Sequence, residues 1–211
     1  MASWMIHLRI ADKLLDQIPG LSPIEFIMGN LAPDSGLEVD GHFVPDQRIS
    51  HFRRDDLSGK KDIDLEAYRS KYLSPAATAG YDEKQYAFYL GYYTHLLTDS
   101  IWSDRIAWPT RQRFENASWA EIKKDWYDLD RLFLKKRPGF RAFRAYLGSV
   151  GFVNSYIDFF PADAFDIRRE AVTSFYLSPG DDPDREYRFL SEAEMDRFVE
   201  ECTARILEVL K

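Results

Sequence analysis

Apolar residues between Asp82 and about Ile106 recur at three- and four-residue steps: Leu90, Tyr93, Leu96, Leu97 and Ile101, with Ser100 among them. That period predicts one buried helix. The same period marks other helices. One spans 4 to about 18, with Ser3 as its cap, a stripe of Trp4, Leu8, Ala11 and Leu15, and Pro19-Gly20 as its stop. A short one over 23–30 begins at the capping-box pair Ser22 and Glu25. Asp64 caps another through about Leu73, and SPAATAG separates it from the long helix. After Trp108-Pro109 the chain is expected to turn. Ser118 with Glu121 opens a helix over 119–136 that buries Ile122, Trp126, Leu129 and Phe133. Shorter pieces are predicted over 140–147 and 152–160, and a longer one over 164–177, closed by SPGDDPD. Ser191 with Glu194 opens the last, whose core stripe is Met195, Phe198, Val199, Cys202, Ile206 and Val209. The stretch from 37 to about 63 has no helical period and carries Pro45 and Gly59, so it reads as a long loop. No convincing set of alternating strands occurs. The expected fold is all-α, an irregular multi-helix bundle forming a single domain over 1–211.

Composition narrows the function classes. At 211 residues, 45% apolar and 15% aromatic, the chain can bury one substantial core. A formal charge of -7 and a pI near 5.2 argue against a nucleic-acid partner held by broad electrostatics. The only cysteine, Cys202, excludes an internal disulfide and fits a reducing compartment. Arg9, Asp12 and Lys13 fall where a secretory signal needs its apolar centre. The longest uncharged apolar run, between Lys84 and Asp99, is shorter than the roughly 20 residues that span a bilayer. A soluble, cytoplasmic protein is expected, with no transmembrane segment.

The chemistry centres on His95 and Asp99. Four residues apart on a helix, they share a face and can meet each other or one metal ion. For an isolated pair, a core histidine hydrogen-bonded to an acid is the commoner explanation. All four histidines, however, precede residue 96: His7 in the first helix, His42 and His51 in the loop, and His95. A GxSxG nucleophile elbow and Gly-rich phosphate loops are absent, and Cys202 sits on a core stripe. No histidine is followed directly by aspartate, which disfavours an HD-type phosphohydrolase. Histidine and aspartate together suit zinc and related divalent ions, and Asp34 in the turn GNLAPDSG joins the candidates. Arg48, Arg53 and Arg54 accompany the loop histidines. They could hold a phosphate near the metal, but a solvated loop balanced by Asp55 and Asp56 is the commoner explanation of such a cluster.

Trp4 with His7, FIMGNLAPDSG at 26–36, ISHF at 49–52 and YLGYYTHLLTDSIW at 89–102 together resemble the zinc-dependent phospholipase C family, over roughly residues 1–105. The resemblance implies the all-helical fold shared with P1 nuclease, with metals held between helices. It implies one zinc site formed by Asp34, His51, His95 and Asp99, and His7 as ligand of a second ion that shares Asp99. It favours His51 over His42. The implied activity is hydrolysis of phosphoric esters by a metal-bound hydroxide, with Asp34 a candidate base and one or two divalent ions, zinc, as cofactor. The implied substrate is a small phosphoester or a phospholipid-like molecule, with Arg53 and Arg54 as candidate phosphate contacts. The secreted relatives use a processed N-terminal tryptophan as a ligand; here Trp4 follows three residues, and no histidine follows His95, so a three-zinc centre is not expected. The competing function is a non-catalytic, metal-stabilised helical module that binds a partner.

Overall fold

The structure is a computed structural model that describes residues 1–54, 62–178 and 182–211. The chain is all-α, a bundle of many helices with a few short strands. Helix α1 (Trp4–Gln17) is capped by the Ser3 side chain, and α2 (Pro23–Leu31) runs into a 3₁₀ turn, Ala32–Asp34. A hairpin of β1 (Leu37–Val39) and β2 (His42–Val44) leads to the one-turn helix α3 (Gln47–Ser50). A second small ladder pairs β3 (Arg53–Arg54) with β4 (Asp62–Ile63). Then come α4 (Leu65–Tyr72), α5 (Pro75–Thr78) and the central α6 (Glu83–Trp102). A π-helical segment, Ser103–Ala107, joins α6 to α7 (Trp108–Arg113). The rest is α8 (Trp119–Lys136), α9 (Arg141–Gly148), α10 (Ala164–Leu177) and α11 (Glu192–Val209). No helix is long and apolar enough to cross a membrane among the described residues.

Several local expectations need correction. The 37–63 stretch is not a plain loop, because Asp40 and Gly41, with φ of 51° and 78°, make the Asp-Gly turn of a tight hairpin. Residues 55–61 of that stretch, with Asp55 and Asp56, lie outside the described residues, as do 179–181 of SPGDDPD. Ser22 does not close a capping box: its hydroxyl donates to the Glu25 carboxylate and accepts nothing from the backbone. The chain stays helical through Trp108-Pro109. Pro109 can neither donate to nor tolerate a close carbonyl one turn back, and the wider π turn just before it relieves that conflict. No helix forms over 152–160, where the Asn154 side chain takes the Tyr156 and Ile157 amides at 3.2 Å and binds the Ile157 carbonyl, competing with helical pairing. Val209 is exposed at the frayed end of α11, although the rest of that stripe is buried.

Helix α6 is buried on every side from Ala87 to Asp99, so it is the axis of the bundle. It meets α2 backbone to backbone. A methyl group at Gly29 would fall inside contact distance of the Phe88 carbonyl, and one at Gly91 inside that of Phe26. Asn30 fastens the crossing by donating to Thr94 Oγ1 at 3.0 Å. On its other side α6 joins a set of tyrosines. Tyr68 of α4 stacks on Tyr92 at 5.0 Å, and Tyr92 OH donates to the Ser50 carbonyl, tying α3 to the axis.

The start of α1 is held by a buried acid on α8. Asp130 accepts from Ser3 Oγ at 3.0 Å and from Tyr176 OH at 2.8 Å, and that phenol accepts from the Met5 amide. Burial, which outweighs these bonds, pushes the Asp130 carboxyl up from 3.8 to about 7. The folded chain therefore keeps this proton to higher pH than the unfolded chain does. The associated stability is complete below the unfolded value and is lost as pH rises through the folded one. Asp130→Asn has no such proton to lose. Its stability relative to the parent should rise by on the order of 3 kcal/mol between about pH 4 and pH 8. Urea unfolding across that range measures the difference, and a flat difference would show that Asp130 does not titrate as described.

Candidate metal centre

Four segments converge on the middle of α6. His7 comes from the first turn of α1, Asp34 ends the 3₁₀ turn after α2, His51 caps α3, and His95 and Asp99 lie one turn apart on α6. His7, His51, His95 and Asp99 are all buried, and Asp34 is the most accessible of the five. His42 is exposed on β2 and belongs to neither candidate ligand triad described below.

The contacts make one cluster. Asp99 Oδ1 is 3.3 Å from His7 Nε2, and Asp99 Oδ2 is 3.6 Å from His95 Nε2 and 3.7 Å from His51 Nε2. Asp34 Oδ1 lies 3.3 Å from His51 Nε2, and the facing nitrogens of His51 and His95 are 3.4 Å apart. The His7 and His95 rings stack at 3.8 Å. Two triads bring ligand atoms within 4.8 Å of one another: His7, Asp34 and His95, and His51, His95 and Asp99. His95 is common to both. A single imidazole nitrogen has one lone pair, so a bridge between two ions needs a carboxylate, and both Asp99 and Asp34 lie near all three histidines.

Backbone and hydroxyl partners aim the rings. His95 Nδ1 donates to the Asn30 carbonyl at 2.8 Å, which leaves the Nε2 lone pair facing the cluster. His51 Nδ1 pairs with Ser50 Oγ at 3.0 Å, with its Nε2 likewise inward. Neither nitrogen of His7 has a hydrogen-bond partner, nor does Asp99 Oδ2. The Ala2 amide donates to Asp99 Oδ1 at 2.7 Å. The start of the chain therefore reaches the cluster through Ala2 and not through Trp4.

Electrostatics keep the carboxylates ionised. Burial alone would raise Asp99, but the N-terminal ammonium and the His7 and His95 rings hold it well below the usual carboxylate range. Burial likewise opposes ionisation of Asp34, yet the His51 hydrogen bond and the nearby His95 bring it down to about 2. Burial, reinforced by His95, lowers His7 to about 4. Burial also works against charge on His95, where the nearby Asp99 carboxylate outweighs it and raises the ring. Imidazole beside ionised carboxylate is the donor set that divalent transition metals take, and a ring charged by its acid neighbour gives up that proton when the metal binds.

A cavity of about 330 Å³ opens beside His51 and Asp99, and a smaller one of about 140 Å³ beside Asp34. Arg53 lines the larger. Arg54 does not: it forms an ion pair with Asp64, the cap of α4. Arg48 pairs with Asp46 at the surface. Sequence reasoning passed over Asn30 and Ser50, which orient the rings, and Tyr92, which holds the Ser50 backbone. A backbone carbonyl leaves no side-chain signature, and a serine or tyrosine is too common to single out. It also passed over the cavity wall supplied by α7 and α8.

No curated protein and no solved structure matches the chain. Residues 6–105 match the family model described as zinc dependent phospholipase C, a stretch that contains all five clustered side chains. Over that stretch the chain is similar to the zinc-dependent phospholipase C family.

Proposed function

We propose that the protein is a metal-dependent hydrolase of phosphoric esters, holding one or two zinc ions with His7, Asp34, His51, His95 and Asp99. The observation that carries this reading is the cluster's unpaired polarity: both His7 nitrogens and Asp99 Oδ2 are buried with no hydrogen-bond partner. Leaving a buried polar group unmade costs about 1–3 kcal/mol, and more for a charge. A bound cation offsets that cost. A divalent ion, when bound, supplies Lewis acidity toward a phosphoryl oxygen and lowers the pKa of a coordinated water.

The chain's own groups complete the chemistry. Asn30 and Ser50 hold the His95 and His51 rings with their Nε2 atoms inward. Asp34, with a carboxyl near 2, stays ionised at neutral pH and serves as ligand and acceptor; so weak a base takes a proton poorly under those conditions. Arg53 brings a guanidinium to the adjoining cavity, suited to the charged oxygens of the ester. That cavity also favours catalysis over a purely structural ion, because structural sites are closed to solvent by protein ligands.

Purified protein should contain stoichiometric zinc and hydrolyse bis(p-nitrophenyl) phosphate, with activity lost on chelation and restored by the metal. A protein that binds zinc and is stabilised by it, yet hydrolyses neither phosphodiesters nor phosphomonoesters, would instead be the metal-stabilised binding module.

A further inference from the structure

The larger cavity has a character that metal ligation does not require. Beyond His51 and Asp99 its wall combines two cations, Arg53 and Lys123, with the indoles of Trp108, Trp119 and Trp126. Trp108 and Trp119 are each 41% exposed, which is high for so large an apolar ring, whereas Trp126 is buried behind them and meets Trp119 edge-on at 6.3 Å. Arg53 Nε is buried with no hydrogen-bond partner. Lys123 makes no ion pair or hydrogen bond among the described residues, and it also lines the smaller cavity beside Asp34. It stands between the two openings onto the cluster.

These features select by charge and shape. Indole faces attract both flat rings and cations. A quaternary ammonium group would meet two positive side chains, and the only acid lining the cavity among the described residues is Asp99, already engaged with three imidazoles. An anion meets no such conflict. A volume of about 330 Å³ is at the low end for ligand sites, enough for one ring and its phosphate but not for the body of a two-chain lipid.

Building on the phosphoester-hydrolase reading above, we infer that this cavity takes a small anionic phosphoester whose alcohol part is a planar ring. Trp108 and Trp119 stack the ring, and Arg53 and Lys123 hold the negative charge. Trp108, Trp119 and Lys123 all lie beyond the family-matched residues 6–105, so the preference belongs to this chain's own second half.

Binding tests the assignment without turnover. Zinc-loaded full-length protein is titrated with phenylphosphonate, methylphosphonate and phosphocholine by calorimetry and by tryptophan fluorescence. Phenylphosphonate should bind roughly tenfold tighter than methylphosphonate, and phosphocholine no tighter than methylphosphonate. The double variant Trp108→Ala/Trp119→Ala, made at half-exposed positions, should lose the ring preference and keep its methylphosphonate affinity. Lys123→Gln should weaken both phosphonates by roughly fivefold. Equal binding of the two phosphonates, or a preference for phosphocholine, overturns the inference. Metal-dependent hydrolysis without ring preference overturns it while leaving the proposed function standing. Ring preference without hydrolysis supports it and removes the proposed function instead.

Discussion

Asp99→Asn is expected to abolish metal-dependent hydrolysis and to weaken zinc binding by more than about 100-fold, since even the outer partners of a metal ligand are worth about 10–100-fold. The reason lies in what Asp99 touches. This one carboxylate lies within 3.7 Å of three imidazole nitrogens. An amide keeps one oxygen for the Ala2 N–H but puts an uncharged NH₂ toward His51 and His95. Their Nε2 lone pairs accept from it, so the metal-free fold is retained, with a stability change of about 1 kcal/mol or less. Zinc content by elemental analysis, calorimetric zinc titration and phosphodiester turnover test this together. Zinc affinity equal to the parent's would remove Asp99 from the centre.

Gly29→Ala should be the most destabilising glycine-to-alanine change among the described residues, with Gly91→Ala close to it. Each methyl would strike backbone of the facing helix, and backbone cannot turn aside as a flexible side chain can. Overpacking of this kind costs about 3 kcal/mol. For a chain of this size that corresponds to a fall in Tm of roughly 6–12 °C. The damage should reach the metal centre as well. Helix α2 carries the Asn30 carbonyl that orients His95, and its 3₁₀ extension carries Asp34. Pushing α2 off α6 therefore separates ligands, and zinc affinity should fall with Tm. Gly80→Ala, where open space surrounds the added methyl, is the control and should leave both unchanged. Thermal melts with and without zinc distinguish the cases.

The helices were legible where a period and a cap coincide. Ser3, Asp64, Ser118 and Ser191 each accept a backbone hydrogen bond at the start of the helix they announce. Local patterns failed where a side chain or ring overrides them, at Asn154 and at Pro109. The Asp-Gly turn of the β1–β2 hairpin was visible in the sequence but was masked by expecting an unpatterned loop. The role of Asp130 was not visible at all, because its partners, Ser3 and Tyr176, are 127 and 46 residues away.

The sequence by itself determined the all-α class, the buried helix with His95 and Asp99 on one face, and the supply of histidine and aspartate in the first half. These follow from periodicity and from which side chains can hold a cation, both local properties of the chain. Only the tertiary structure decided that His51 is buried against Asp34 while His42 is exposed, that the His7 nitrogens are buried without a hydrogen-bond partner, and that Arg53 faces the cavity while Arg54 is engaged by Asp64. It also brought Trp108, Trp119 and Lys123 to the side of the cluster. Such choices depend on the close crossing of α2 and α6 and on the packing of distant helices, which a pattern along the chain cannot encode.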